Sequence, residues 1–166
     1  MADDTEQVRI VPAEPDDAAA LVSFLQRANR ESEAVMITNL ANLTASSEID
    51  QLKAIARSSN CEVIVARLGE QVIGTATIMV MPDDDNTGEL GLVVGKDYWH
   101  QGIGTALLET ILDWYQHGSK LQQLMLDVFA DNQRALDLYH RFGFVESDMH
   151  NYQDRQLIRM VYMEKE

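Results

Sequence analysis

The sequence predicts a mixed α/β protein with one central sheet. At 166 residues, 46% of them hydrophobic, the chain has the size of one domain with a sizeable core. Apolar runs typical of strands alternate with amphipathic segments of helical period, without repeats or low-complexity linkers. Three of the apolar runs follow one another with short turns between them, which indicates an antiparallel meander. We therefore expect residues 1–166 to form a single domain.

A strand and two helices precede the meander. The segment QVRIVPA predicts a first strand that ends at Pro12. In EPDDAAALVSFLQRANRES, Pro15 and the neighbouring acidic residues favour the start of a helix. The apolar residues of this helix share one face: Leu21, Phe24, Leu25 and Ala28. A second helix is predicted in the serine-rich segment that follows, with Ser47 as its N-cap.

The meander is predicted from three apolar runs. CEVIVARL and QVIGTATIMVM are joined by Gly69-Glu70, a two-residue connection that indicates a hairpin. Pro82 ends the second run, and Asp83 to Asp85 are expected to form a solvated loop tip. GELGLVV then resumes as a third antiparallel strand.

The second half of the chain alternates helices and strands. A glycine-containing segment opens a helix whose predicted apolar face consists of Ala106, Leu107, Ile111 and Trp114. LQQLMLDVF predicts a buried strand, and NQRALDLYHRFGF a short helix that ends at Gly143. LIRMVYM predicts a last apolar strand.

The charge of the chain excludes several partners. A net charge of −14, from 27 acidic and 13 basic side chains, repels nucleic acid and acidic membranes, so we expect neither as a partner. No apolar run is long enough to span a membrane, and MADDTEQVRI lacks the apolar region of a secretory signal. Cys61 is the sole cysteine, which excludes an internal disulfide and is typical of the reducing cytoplasm. We therefore expect a cytoplasmic protein.

Two glycines mark the start of the predicted helix in VVGKDYWHQGIGTALLETILDWY. Gly102 and Gly104 expose the main-chain amides of a helix N-terminus, where a phosphate can bind. The alternative is that they serve only a tight turn and a close helix–sheet contact. A dinucleotide fingerprint fits poorly, because its third glycine is replaced by Leu107 and seven residues separate Val94 from Gly102.

Coenzyme A fits these residues better, because two blocks of the chain match one family. ELGLVVGKDYWHQGIGTALLETILDWY, followed by LMLDVFADNQRALDLYHRFGF, resembles the GCN5-related N-acetyltransferase (GNAT) family. The residues that match its pattern are Val94, Gly102, Gly104, Asn132, Ala135, Tyr139, Gly143 and Phe144. One position departs from it, since Trp99 stands where the family usually has Arg or Gln.

The resemblance implies a fold and a reaction. The implied GNAT fold has a central, mostly antiparallel twisted sheet, with splayed fourth and fifth strands and about four flanking helices. The implied reaction moves an acetyl group from acetyl-CoA, the co-substrate, to a primary amine of a small molecule or peptide by direct attack on the thioester. No metal is implied. A catalytically silent acetyl-CoA-binding or sensor module of the same fold is the alternative, and an acidic binding protein without a coenzyme site is a third interpretation.

The resemblance also implies the coenzyme-binding residues. Backbone groups of Leu92, Val93 and Val94 are expected to pair with the pantetheine arm, and one of these amides to polarise the thioester carbonyl. The pyrophosphate is expected at main-chain amides of His100, Gln101, Gly102, Ile103, Gly104 and Thr105. Asn132 is expected to cap its helix and to contact the coenzyme or backbone. At Trp99 stacking or packing is expected, with His100 and Gln101 as substitutes for the missing phosphate contact.

Three side chains are candidates for proton transfer. Tyr139 falls on the family's tyrosine position and is the candidate acid for the leaving thiolate, with core packing as the alternative. Asp127, in the apolar context LMLDVF, is the first candidate base. Glu89, near the start of the fourth strand, is its rival. Either carboxylate could act through water or bind a cationic substrate.

The acceptor is not specified by any motif. The family resemblance implies that NRESEAVMITNLANLTASSE and SDMHNYQDRQLIRM shape its site. Glu31, Glu33 and the net charge favour an amine with extra positive charge. A small amine, an amino acid, an antibiotic, a polyamine and a peptide N-terminus all remain open. The last strands often pack against a second subunit in this family, so a homodimer is expected.

Overall fold

The computed structural model describes residues 7–32 and 43–163. They form seven strands and four α-helices, with short 3-10 turns at Pro15–Asp17 and Lys96–Tyr98. In chain order the elements are β1 (Val8–Pro12), α1 (Ala18–Glu31), α2 (Ala45–Ala56), β2 (Glu62–Leu68), β3 (Gln71–Met81), β4 (Asp84–Val94), α3 (Ile103–His117), β5 (Gln123–Phe129), α4 (Gln133–Arg141), β6 (Phe144–Tyr152) and β7 (Arg155–Tyr162).

All seven strands belong to one sheet in the order β1-β2-β3-β4-β5-β7-β6. Every neighbouring pair is antiparallel except β4 and β5, which run parallel. The predicted mixed α/β fold and its meander, β2-β3-β4, are therefore confirmed. The last strand in the chain, β7, lies between β5 and β6 rather than at the edge.

The two turns of the meander differ in how well the sequence predicts them. Gly69 has a φ of 62°, a left-handed conformation that suits the predicted tight hairpin. The second turn is shorter than expected, because Asp84 already pairs with Met81. The Asp84 carboxylate accepts hydrogen bonds from Thr87 Oγ1 at 2.7 Å and from Asn86 N at 3.0 Å. Of the three aspartates only Asp83 therefore lies in the turn, beside Pro82. All three are exposed, as expected, but Asp84 and Asp85 belong to β4, so the expected three-aspartate loop is corrected.

Helix α2 begins three residues earlier than a Ser47 cap would place it. Thr44 is the N-cap, and its Oγ1 accepts a hydrogen bond from Ser47 N at 3.0 Å. Ser47 Oγ in turn accepts a hydrogen bond from Thr44 N at 3.1 Å, which completes a capping box. The predicted cap was wrong, because Thr44 and Ser47 are both hydroxyl residues and only the backbone geometry distinguishes their roles.

Helix α3 packs on one face of the sheet, and α1 and α2 pack on the other. The predicted face of α3 holds for Leu107 and Ile111, which are fully buried, whereas Ala106 and Trp114 are only partly buried. The deepest positions form a slightly rotated stripe: Leu107, Leu108, Ile111 and Leu112. Two hydrophobic cores therefore cover the opposite faces of the sheet.

No helix within residues 7–32 and 43–163 combines the length and apolar character needed to cross a membrane.

Candidate active site

The parallel strands β4 and β5 pair over only three residues each. The paired positions are Thr87 with Gln123, Gly88 with Leu124, and Glu89 with Met125. Beyond them, a cavity of about 260 Å³ is lined by residues of both strands, from Leu90–Val93 on one side and Asp127–Phe129 on the other. The sheet therefore opens at the carboxyl ends of two adjacent strands, where a ligand can enter.

The register of β4 decides which backbone groups face this opening. Gly95 N donates a hydrogen bond to Ile73 O at 2.9 Å, and β4 pairs with β3 at Val93. Because alternate residues of an antiparallel strand bond to the same neighbour, the backbone of Val93 faces β3. The backbones of Leu92 and Val94 face the opening. The expectation that Val93 pairs through its backbone with the coenzyme is corrected to a lining role.

A second, larger cavity of about 430 Å³ lies between the end of β4, the start of α3 and one face of α4. Nearly all of the predicted coenzyme-binding residues line it: Leu92, Val93, Val94, His100, Gly102, Ile103, Gly104, Thr105, Asn132 and Tyr139. Gln101 does not line it, and its side chain donates to Asp97 O at 3.2 Å instead.

The start of α3 presents free main-chain donors to this cavity. The first intrahelical bond runs from Ala106 N to Gly102 O at 3.1 Å, so the amides of residues 103–105 have no partner within the helix. The chain turns into the helix through two left-handed residues, His100 with φ 65° and Gly102 with φ 81°. A helix N-terminus of this kind favours an anion.

The surroundings of the two glycines separate their roles. Gly102 has no neighbour within 4 Å of a built Cβ, so glycine is favoured there by its positive φ. A Cβ on Gly104 would lie 3.7 Å from Leu138 Cδ2 and from Val94 Cγ2, which is ordinary contact. A close helix–sheet approach therefore does not require glycine at position 104, and the open side of this residue faces the cavity.

Trp99 forms part of a three-residue assembly at the edge of the larger cavity. Its indole Nε1 donates to Val94 O at 2.8 Å. The guanidinium of Arg134 lies 4.4 Å from the centroid of the Trp99 ring, and Arg134 Nη1 is 3.4 Å from His100 Nε2. Stacking at Trp99 was predicted, but its partner was not. Arg134 directly precedes Ala135 in the second motif block, which is the signal that could have found it.

Asn132 and Tyr139 connect the two cavities, because both residues line each of them. Asn132 Oδ1 accepts a hydrogen bond from Ala135 N at 3.2 Å, as expected of the helix cap. Tyr139 is 7% exposed and packs edge-on against Phe144. Its hydroxyl has no hydrogen-bond partner among the described residues, in which every fully buried polar side-chain atom is paired. The hydroxyl therefore opens to the cavities, and burial raises its pKa.

Asp127 is engaged by an arginine that the sequence analysis did not select. Arg159 lies opposite it on β7, with Nε 3.0 Å from Oδ1 and Nη2 3.1 Å from Oδ2. His150 Nε2 is 3.8 Å from the same carboxylate. The Asp127 side chain is only 10% exposed, so its charge is compensated within the protein rather than by water.

Glu89 lies beside this pair on the neighbouring strand. It pairs with Met125, two residues before Asp127, and therefore projects from the same face of the sheet. Among the described residues it has no ion pair or hydrogen bond. Burial and then the charge of Asp127 raise the pKa of Glu89, whereas Arg159 opposes this. The smaller cavity thus holds one compensated carboxylate and one half-buried carboxylate with raised proton affinity.

The predicted acceptor segments are only partly described. Glu33 and the rest of residues 33–42 lie outside the described residues. A carboxylate oxygen of Glu31 accepts a hydrogen bond from Lys96 N at 3.2 Å. Glu31 therefore connects the end of α1 to the loop after β4. In the second segment, the guanidinium of Arg155 covers the Phe129 ring at 3.5 Å and pairs with Asp131 at 3.1 Å.

Comparison with known proteins gives one consistent result. The model of the Acetyltransferase (GNAT) family matches residues 24–144. An L-amino acid N-acetyltransferase of Escherichia coli is 26% identical over 83 residues, 49% of this chain and 51% of the relative. The chain spans between 51% and 62% of the length of the first three curated relatives it matches.

Solved structures agree over nearly the whole chain. A GNAT-family acetyltransferase from Streptococcus pneumoniae is 31% identical, with a TM-score of 0.86 over 93% of this chain and 98% of that one. A Salmonella typhimurium protein solved with its cofactor acetyl-CoA is 19% identical, with a TM-score of 0.82 over 96% of this chain and 95% of that one. The latter likeness shows the shared fold.

Proposed function

The chain belongs to the GNAT family of acetyltransferases, and from this premise we propose that it moves an acetyl group from acetyl-CoA to a primary amine of a small molecule or peptide. The observation that supports this most is that the two cavities meet. Both are lined by Leu92, Val93, Asn132, Ala135 and Tyr139. One cavity ends at the free amides of α3 and the other at Glu89, so a thioester between them faces both a phosphate site and a carboxylate.

The residues of the larger cavity fit a coenzyme A molecule. Residues 103–105 offer unpaired amides for its pyrophosphate, and Gly104 leaves room for the phosphates to approach. Leu92 offers both of its backbone groups along the opening and Val94 offers its N–H, since Val94 O accepts from Trp99 Nε1. The pantetheine arm would add to the sheet edge there. When bound, acetyl-CoA supplies an acetyl group already activated as a thioester.

Glu89 is the carboxylate that best suits the role of base. A primary amine has a pKa of about 10 and must lose a proton before it attacks a carbonyl carbon. The raised pKa of Glu89 makes it a stronger proton acceptor than an ordinary glutamate, and it has no described cation of its own. Asp127 already shares its charge with Arg159, so we propose that it organises the acceptor side. This reverses the order that the sequence favoured.

We propose that Tyr139 acts as the acid. Its hydroxyl opens to both cavities, and burial raises its pKa, so the proton is retained through neutral pH. Glu89 accepts the proton that the ammonium form loses before attack. As the nitrogen–carbon bond forms and the carbon–sulfur bond breaks, the nitrogen loses its second proton, which replaces the one that Tyr139 gives up. The Tyr139 hydroxyl then donates its proton to the departing sulfur.

The acceptor is proposed only as a class. The Escherichia coli relative is named for L-amino acids, and the net charge of −14 favours amines of positive charge.

We also propose that the chain is one domain and that the protein acts in the cytoplasm. The single seven-stranded sheet supports the first of these proposals. Val145 and Met149 are exposed on edge strand β6, which supports a homodimer. Light scattering that gives the monomer mass of 18.7 kDa at high concentration would exclude it.

The test is release of the coenzyme thiol in the presence of a panel of amines. Amino acids, their decarboxylated analogues, polyamines and short peptides are each offered with acetyl-CoA, and thiol release is compared with hydrolysis in the absence of amine. Amine-dependent release supports the proposal. Calorimetric binding of acetyl-CoA without any amine-dependent release supports the silent binding module instead. Absence of binding would exclude both.

A further inference from the structure

Arg134 has an unusual environment for a cation in so acidic a chain. With 27 acidic side chains in the sequence, it forms no ion pair with any carboxylate in residues 7–32 and 43–163. Its contacts are instead the face of Trp99, at 4.4 Å, and His100 Nε2, at 3.4 Å. It also lines the larger cavity. An exposed arginine without a carboxylate, supported on an aromatic ring at the mouth of a cavity, is available to bind an anion from outside.

We propose that Arg134, held on the ring of Trp99, is a phosphate ligand of the coenzyme and determines how tightly the phosphorylated part of acetyl-CoA binds. This rests on the proposed function. Trp99 occupies the position at which the family usually places an Arg or Gln, so the chain lacks that side chain and presents a guanidinium from α4 instead.

The contacts of Trp99 and α4 fix where the guanidinium lies. The indole is held in place by its hydrogen bond to Val94 O, so its face is a fixed support. On α4, Leu138 follows Arg134 by one turn and lies near Gly104, at 3.7 Å from its built Cβ. Arg134 therefore lies beside the first turn of α3, on the same cavity as the unpaired amides of residues 103–105.

The arrangement suits phosphate chemistry. A guanidinium stacked on a ring through its face keeps its N–H donors directed outward from its edge, where phosphate oxygens accept them in pairs. His100 Nε2 can accept a hydrogen bond from Arg134 while the imidazole is neutral, which further orients the group. The phosphates of coenzyme A, as pyrophosphate or as 3′-phosphate, are the anions that the neighbouring amides would bring within reach.

The experiment compares Arg134→Met and Trp99→Leu with the unmodified protein. We expect the affinity for acetyl-CoA, measured by calorimetry, to fall about tenfold in Arg134→Met, the loss typical of a hydrogen bond to a charged group. Trp99→Leu removes only the support, so about a threefold loss is expected. In both, we expect the loss to appear mainly as a rise in KM for acetyl-CoA, measured at a saturating amine concentration. Arg57→Met, which removes an exposed cation at the C-cap of α2, is the matched control and should bind as the unmodified protein does.

Three donor molecules decide whether the effect concerns phosphate. S-acetyl-pantetheine carries no phosphate, so Arg134→Met and the unmodified protein should use it equally well. Acetyl-dephospho-CoA separates the two sources: a loss that persists assigns Arg134 to the pyrophosphate, and a loss that disappears assigns it to the 3′-phosphate. Unchanged acetyl-CoA affinity in Arg134→Met, or an equal loss with S-acetyl-pantetheine, would overturn the inference. If the unmodified protein binds acetyl-CoA but transfers no acetyl group, only the proposed function is overturned. The role of Arg134 is then still decided by comparing the acetyl-CoA affinities of Arg134→Met and the unmodified protein.

Discussion

Asp127 on β5 and Arg159 on β7 face each other across the sheet and form two parallel hydrogen bonds of 3.0 and 3.1 Å. The pair gives the acceptor side a fixed polar surface beside Glu89. Asp127 and Glu89 lie on one face of the sheet, but only Asp127 forms an ion pair, with Arg159. We therefore expect the two carboxylates to have different roles. This division leads directly to the first two predictions.

Replacing Glu89 with Gln should lower kcat about 10²-fold near neutral pH, the lower range of what a positioned base contributes. Activity should recover in part as pH rises, because more of the amine is then already neutral. In the unmodified enzyme, activity should be lost as pH falls through the raised pKa of Glu89, so the acidic limb lies above the ordinary glutamate range. A pH profile of kcat for both proteins measures this.

Thermal unfolding provides the control for Glu89→Gln. Because burial raises the pKa of Glu89 in the folded state, ionised Glu89 destabilises the fold, and this penalty grows as pH rises through that pKa. The variant should therefore melt at or above the temperature of the unmodified protein at neutral pH, and the two should converge in acid. A folded variant with full activity and an unchanged acidic limb would rule out Glu89 as the base.

Replacing Asp127 with Asn should lower the free energy of unfolding more than it lowers kcat. The change removes the charged partner that accepts both hydrogen bonds from Arg159, and we expect a loss of about 1–2 kcal/mol in the free energy of unfolding. Asp131→Asn is the matched control, since its pair with Arg155 involves a 77% exposed side chain and should contribute about 0.5 kcal/mol or less. Denaturant titration compares them. A kcat loss in Asp127→Asn as large as in Glu89→Gln would return the base role to Asp127.

Replacing Tyr139 with Phe keeps the ring against Phe144 and removes the hydroxyl. Fold and acetyl-CoA affinity should survive, and kcat should fall about 10²-fold because the leaving thiolate then lacks its acid. Single-turnover kinetics with calorimetry separates the two effects. Full activity together with a melting temperature several degrees lower would show that Tyr139 is only a packing residue.

Substitutions at Gly104 test the phosphate site through size alone. An Ala side chain meets Leu138 and Val94 at 3.7 Å, so Gly104→Ala should fold normally and bind acetyl-CoA with little loss. Gly104→Val places two further methyl groups at the start of α3, where the phosphates approach, and should weaken binding about tenfold. Equal affinity in the folded Ala and Val variants, by calorimetric titration, would contradict the assignment of the cavity to coenzyme A.

Local chemistry explains which parts of the fold were predictable. The Gly69 hairpin, the end of helix α4 at Gly143 and the helix opened by Gly102 each depend on a few adjacent residues, and each was predicted. The N-cap of α2 and the start of β4 were misplaced by a few residues. Both depend on side-chain hydrogen bonds, at Thr44 and at Asp84, that neighbouring Ser and Asp residues could equally have made.

The site was predictable where one motif contains it and not where two distant segments meet. The residues of the larger cavity come mostly from one stretch, and the resemblance selected them. Asp127 and Arg159 are 32 residues apart, and their contact depends on the register of β5 with β7. Arg134 and Trp99 are likewise brought together only by the packing of α4 beside the start of α3. Sequence patterns give the faces of elements but not these pairings.

The position of β7 between β5 and β6 has a consequence for how the chain acquires its structure. Strand β6 is synthesised first, yet it reaches the sheet only through β7, so it must wait for later residues before it has a template. Until then residues 144–152 have no neighbouring strand in this sheet, and Val145 and Met149 stay exposed even in the folded chain. The charges of Glu146 and Asp148 oppose non-specific aggregation of this segment during that interval.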